Sequence, residues 1–200
     1  MFLCYPHIAD ICCMPHAFQI HKQDAAYFLT ITAVEWVDVL LRPEHKNIIC
    51  ESLNYCVEQK GLEIFSYAIM SSHMHMIARA KNENLSEVIR DFKKYTSSAL
   101  IKEIQNGNES RKEWMLDIFK KGGEKQKKKS KNQVWQYNNH AEEVAEAKFT
   151  LSKIKYIHMN PVEAGLVIRP EHYRYSSAQD YAGEEGPVVV STINLHNLFS

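Results

Sequence analysis

The stretch Leu62-Glu63-Ile64-Phe65-Ser66-Tyr67-Ala68-Ile69-Met70-Ser71-Ser72-His73-Met74-His75-Met76-Ile77-Ala78-Arg79-Ala80 reads as two strands, Leu62 to Met70 and His73 to Ala80, turned on Ser71-Ser72. Both runs are of strand length and bounded by turn residues, which makes a hairpin the simplest assignment. Upstream, Pro43 opens a helical pattern to about Gln59, with Ile48, Ile49, Leu53 and Val57 near one stripe and Gly61 as its stop. Before that, Ala25 to Trp36 is aromatic and β-branched and reads as a first strand. Downstream, Asn84-Leu85-Ser86-Glu87 starts a long helix to about Gln105, with Leu85, Val88, Ile89, Phe92, Leu100 and Ile101 apolar. The order is strand, helix, strand, strand, helix.

Beyond this unit, Arg111 to Lys121 reads as a short amphipathic helix and Lys121 to Asn132, with no large apolar residue, as a flexible basic loop. Val134 to Tyr137 reads as a short strand. Asn139 is placed to cap a helix from about Ala141 through Met159 or Asn160, ended at Pro161 because the residue before proline disfavours the α region. Asn160 to Gly165 then makes a turn, Tyr173 to Tyr181 a small helical piece, and Val188 to Leu195 an edge strand. The expected division is an N-terminal extension at 1–13, flexible or non-native if Met14 is the natural start, a single domain at 14–183 and a tail at 184–200.

Two hundred residues with 45% hydrophobic content can bury a core. No apolar run approaches the ~20 residues of a membrane span, so a soluble, cytoplasmic protein is expected. Five cysteines, Cys4, Cys12, Cys13, Cys50 and Cys56, show no Cys-x-x-Cys spacing and read as free thiols; with His7 and His16 the first three are the alternative, a metal cluster. Formal charge is zero, but from Lys81 to Gln133 fourteen Lys and Arg stand against eight Asp and Glu. A basic middle on an acidic remainder is an electrostatic footprint for phosphate backbone, or else a set of solvated helix faces.

His73 and His75 lie at i and i+2 of a strand, about 6.5 to 7 Å apart on one face, a spacing that can seat one metal ion. On the helix before Pro161, Phe149, Lys153, Tyr156 and Asn160 step by four, three and four, whereas Leu151, Ile154 and His158 line another face. If the first face overhangs the histidines, an Asn carbonyl completes a two-imidazole site with a tyrosine hydroxyl beside it. Such a set suits Mn²⁺ or Mg²⁺ and supports attack of tyrosine oxygen on a phosphodiester. Free tyrosine ionises only near pH ~10, so an activator is needed, and Lys153 is the neighbour to supply it unless it is simply solvated. Tyr95 is a rival nucleophile, but Ala99 stands where a further ligand would be wanted, which favours DNA backbone contact or packing for it. Trp135 either stacks on a base or is buried, and His158 belongs to the apolar stripe.

These residues resemble a known family. His73-Met74-His75 is similar to the His-hydrophobic-His signature of single-tyrosine HUH transposases of the insertion-sequence type, and Tyr156 to Val167 resembles their tyrosine-helix signature. Val134-Trp135-Gln136 and Pro170 to Ala178 are similar in order and spacing to the branch called REP-associated tyrosine transposases. The resemblance implies an α/β (α+β) ferredoxin-like fold with an antiparallel sheet, a divalent metal on His73, His75 and Asn160, and Tyr156 as nucleophile on single-stranded DNA. It further implies cleavage beside short palindromic hairpins, with a 5′-phosphotyrosine and a free 3′-OH, by a monomer or a homodimer with swapped tyrosine helices. The lysine-rich loop departs from the pattern. Arg90, Lys93, Lys94, Lys153 and Trp135 are the DNA-contact candidates. The alternatives are a catalytically silent hairpin-binding protein, acting as repressor or chaperone, and, further off, a metal-dependent hydrolase.

Overall fold

The computed structural model describes residues 19–125 and 132–193. Its centre is a four-stranded antiparallel sheet of β1 (Tyr27–Thr32), β2 (Leu62–Ile69), β3 (His73–Ala80) and β4 (His140–Glu143), in the order β2-β3-β1-β4. Helices α1 (Pro43–Lys60) and α2 (Leu85–Asn106) connect β1 to β2 and β3 towards β4, which is the ferredoxin-like arrangement. α3 (Lys112–Lys125), α4 (Ala147–Glu163) and the short α5 (Ala178–Tyr181) complete the described chain.

Strand alternation decides what each face of the sheet carries. Tyr27, Leu29 and Ile31 of β1, with Met74, Met76, Ala78 and Ala80 of β3, join Ile49 and Leu53 of α1 and Val88, Ile89 and Phe92 of α2 in the main core. The opposite face holds a smaller cluster in which Phe28, Ala68 and Ile77 meet Ile154 and Ile157 of α4. In β2 a bulge at Phe65, between Ile64 and Ser66, shifts the alternation by one position. Leu62 and Ile64 before it and Tyr67 and Ile69 after it therefore all reach the main core, while Ser66 and Ala68 turn toward α4.

The hairpin closes on Ser71-Ser72, with Met70 N–H donating to the His73 carbonyl at 2.8 Å. α1 ends where Gly61 takes the left-handed conformation, φ 68°, and donates to the Cys56 carbonyl. The outer edge of β2 is covered by the Tyr175–Ser177 segment, through Ile69 N–H to the Tyr175 carbonyl at 2.9 Å and a bridge of Ala68 with Ser176. Cys50 and Cys56 are free and buried, their thiols pushed up by burial to about 12 and about 11. No helix among the described residues is long and apolar enough to cross a membrane.

Several boundaries differ from the sequence reading. The first strand stops at Thr32, and Val34–Trp36 is a tight 3-10 turn rather than strand. Helix α3 runs through the two glycines to Lys125, beyond the expected Lys121; the loop residues 126–131 lie outside the described residues. Val134 to Tyr137 forms a single bridge, Trp135 with Ala33, rather than a strand. His140–Glu143 is a strand where a helix start was expected, and α4 begins only at Ala147. It also passes through Pro161 to Glu163, because the proline lies within the last turn, where only one intrahelical bond is forfeited. Over Val188 to Leu195 the described residues, to Ile193, form no strand; one bond, Ser191 N–H to the Ile64 carbonyl, ties them to β2. The extension 1–13, with Cys4, His7, Cys12 and Cys13, lies outside the described residues, as do His16 and residues 194–200 of the tail.

Candidate active site

The phase that sends Met74 and Met76 into the main core turns His73 and His75 to the α4 face, with ring centroids 4.8 Å apart. β1 frames them, Thr30 standing opposite His75 and Thr32 opposite His73. Thr30 Oγ1 lies 2.9 Å from His75 Nδ1, and the Phe28 ring stacks on His75 at 5.5 Å and 18°. Tyr156 of α4 comes down on the same group, its ring 5.2 Å from His75 and 6.0 Å from Phe28. It is half exposed, whereas His75 is only 5% exposed.

His75 is the anomaly of the site. A proton on Nδ1 donated to Thr30 leaves a lone pair on Nε2, and that buried atom has no hydrogen-bond partner. Burial, with the neighbouring His73, Lys153 and His140, pushes the imidazole down to about 3, so it stays neutral. Burial also lowers His73. Two adjacent neutral imidazoles, one with an orphaned nitrogen, fit a divalent cation as ligands. Asn160, one turn beyond Tyr156, donates its amide N–H to the Tyr156 carbonyl at 3.3 Å; no hydrogen bond joins it to either imidazole. Among the described residues no group of three or more His, Cys, Asp or Glu is placed to hold a metal, so a third ligand has to be an amide such as Asn160, water or substrate.

Lys153 shares the wall with Tyr156. Its ammonium sits 4.3 Å from the Phe28 ring centroid and 2.7 Å from Glu142 of β4. Glu142 also takes His140 Nε2 at 2.6 Å; burial opposes its ionisation, but these hydrogen bonds hold the carboxyl below its ordinary range. An open cavity of about 710 Å³ runs from His75, Tyr156 and Lys153 past Phe28 and Thr30 to Trp36 and the loop Gln136 to Asn139. Phe28 and Thr30 were readable as the opposite phase of the first strand; Trp36, His140 and Glu142 carried no such signal.

Two of the sequence-derived DNA contacts are corrected. Trp135 is 2% exposed and its indole N–H donates to Thr96 Oγ1 at 2.9 Å, so it is a core residue and no base can stack on it. Lys93 donates to the carbonyls of Gln136 (2.6 Å) and Tyr137 (3.2 Å) and to Asn139 Oδ1 (2.8 Å), with burial lowering its ammonium to about 8. It clamps the cavity loop rather than reaching for phosphate. Arg90 is exposed but paired with Glu87 and Asp91, and Lys94 and Tyr95 are exposed on α2. His158 is spent on the Ser66 and Ser177 hydroxyls (3.2 and 2.9 Å) and packs against Tyr181, with burial lowering it to about 4.

Trp36 stands on unusual backbone. Glu35 and Trp36 both have positive φ, 50° and 54°, which for residues with a Cβ costs about 1–2 kcal/mol each. The turn is held from both sides by Ala33 N–H to the Ser72 carbonyl and Val34 N–H to the Val134 carbonyl, each 2.8 Å.

Residues 27–116, from β1 into α3 and including both histidines, match the family described as transposase, IS200 like. This segment is similar to IS200-like transposases. No curated protein sequence matches the chain significantly. Among solved structures, the chain is similar to a REP-associated tyrosine transposase bound to a REP hairpin, with 16% identity, 90% of this chain and 94% of that one covered, and a TM-score of 0.61. At that identity the likeness establishes the shared fold. A transposase from Deinococcus radiodurans R1 aligns at 15% identity over 70% of this chain and 91% of its own, with a TM-score of 0.40.

Proposed function

We propose that this chain is a metal-dependent tyrosine nuclease and strand transferase that cuts and rejoins single-stranded DNA beside short palindromic hairpins. The observation that carries the reading is the seating of Tyr156 against His75, whose buried Nε2 has no protein partner. A neutral imidazole with an unpartnered buried nitrogen beside a half-exposed tyrosine is hard to explain by packing alone. The family match over the histidine strand and the fold shared with a hairpin-bound transposase support the same reading.

His73, His75 and the amide oxygen of Asn160 would hold Mn²⁺ or Mg²⁺, which when bound polarises a non-bridging phosphoryl oxygen. Tyr156 Oη attacks the phosphorus, the bond from phosphorus to the 3′ oxygen breaks, and the phenol proton ends on that oxygen. The products are a 5′-phosphotyrosine and a free 3′-OH. Because one phosphate ester replaces another, the bond energy is kept and the reverse attack by a 3′-OH rejoins a strand. Lys153 places positive charge on the cavity wall where the phosphate and the developing phenolate lie, and Glu142 holds it there. Thr30 orients His75, and Phe28 fixes the ring plane.

The test is a denaturing gel of protein incubated with Mn²⁺ and labelled single-stranded hairpins from the repeats flanking its gene. A slow-migrating covalent adduct is expected with the wild type and none with Tyr156→Phe. Adduct persisting in that variant moves the nucleophile elsewhere, with exposed Tyr95 the first alternative; hairpin binding without any adduct would leave a binding protein.

A further inference from the structure

The turn carrying Trp36 is over-built for a loop. Val34 and Val37 on either side are buried in the main core and anchor it, yet Trp36 itself is 51% exposed. Its indole meets His73 edge-on, ring centroids 5.5 Å apart, and lines the same cavity as His75 and Tyr156. Two consecutive left-handed residues are a conformation that glycine or asparagine would adopt with little strain; a glutamate and a tryptophan there must be enforced by their surroundings. They are enforced, through Ser72 of the hairpin on one side and Val134 and Trp135 on the other. In the same cavity lining, the loop that starts at Gln136 is tied to Thr32 and Ala33 just before the turn; Lys93 fixes the carbonyls of Gln136 and Tyr137, and Asn138 and Asn139 add amides. A rigid, half-exposed aromatic shares the cavity with a row of hydrogen-bonding groups and is in ring contact with a candidate metal ligand.

We propose that Trp36 is a stacking platform for one nucleobase of the single strand next to the scissile phosphate. Polar groups of the Gln136–Asn139 loop meet that base's edge. The inference rests on the nuclease reading for what enters the cavity and goes beyond it by assigning a substrate-positioning residue. An aromatic face accepts any base, whereas amides discriminate by donor and acceptor pattern, so the platform supplies affinity and the loop supplies preference.

The experiment measures binding of the full-length protein, in chelator so that no strand is cut, to the repeat-derived hairpins with their single-stranded flanks intact. The same hairpins are then made with one abasic site stepped along the flank. Trp36→Ala is expected to weaken binding of the intact hairpin roughly 5- to 100-fold, and Trp36→Phe to recover most of that. One abasic position should weaken the wild type but cost Trp36→Ala nothing further. Equal binding by wild type and Trp36→Ala, or losses that add at every abasic position, would overturn the platform. So would a fall in the melting temperature of Trp36→Ala that accounts for the loss with no position singled out. Binding that depends on Trp36 in a protein that forms no adduct with Mn²⁺ would overturn the cleavage reading and leave the platform standing. No binding of any hairpin by the wild type would overturn both.

Discussion

The two faces of the sheet are made by the same strands and obey opposite rules. Toward α1 and α2, β3 presents Met74 and Met76, fully buried among aliphatic neighbours with no polar atom to satisfy. Toward α4, the alternate residues of that strand are His73 and His75, and their partners on β1 are threonines. The first face is closed mainly by apolar contact, so its contribution is stability. The second is closed only in part: Ile154 and Ile157 dock α4, and the remainder is left as a cavity with an unsatisfied imidazole nitrogen. A strand's period of two lets one segment serve as scaffold and as site, and a one-residue slip would exchange the roles.

The contrast can be broken from either side. The largest effect is expected from His75→Ala on the site face, where loss of the proposed metal ligand should cut the proposed strand cleavage about 10²- to 10⁴-fold. Hairpin binding should hold, and a chelator should reproduce the loss in the wild type; unaltered cleavage in His75→Ala would place the chemistry elsewhere. On the other face, Met76→Ala removes a fully buried side chain and should cost about 2–5 kcal/mol by urea denaturation, without touching the cavity. A much smaller loss would show that this face collapses readily. Helix packing is sharpened by Glu109, which accepts from Arg111 and Arg42 and whose carboxyl they hold down at about 2. A carboxyl depressed in the folded state stabilises above the ordinary glutamate range and loses that contribution as pH falls from about 5 toward 2. Glu109→Gln should therefore cost about 1.5–3 kcal/mol at neutral pH and flatten the acid limb of the stability curve. The smallest effect is expected at Arg90→Ala, whose pairs with Glu87 and Asp91 are exposed and screened by solvent, so its urea midpoint should match the wild type; a measurable fall would mean that the pairs act as a network.

What could be read from the sequence follows how local each signal is. The hairpin, α1 with its glycine stop and α2 are set by periodicity and turn residues within a few positions. The same periodicity gave the histidine pair and the shared face of Lys153, Tyr156 and Asn160. β4 was invisible because His-Ala-Glu-Glu has no strand composition; it is strand only because β1 offers it an edge. Lys93 reads as a DNA contact, and Trp135 is left open between base and core, because a charge and an aromatic in a basic region suit DNA while their burial depends on elements far away in sequence. The positive φ angles at Glu35 and Trp36 are imposed by hydrogen bonds to Ser72 and Val134, which no local pattern encodes.

β4 also sets when the site can exist. Both histidines lie on β3, whose partners β1 and β2 belong to the first half of the chain, whereas Tyr156 stands on α4, which follows β4 in the second half. A ribosome making this protein therefore releases the histidine hairpin well before it releases Tyr156, and a message cut short between the two would yield a chain whose histidines have no tyrosine beside them.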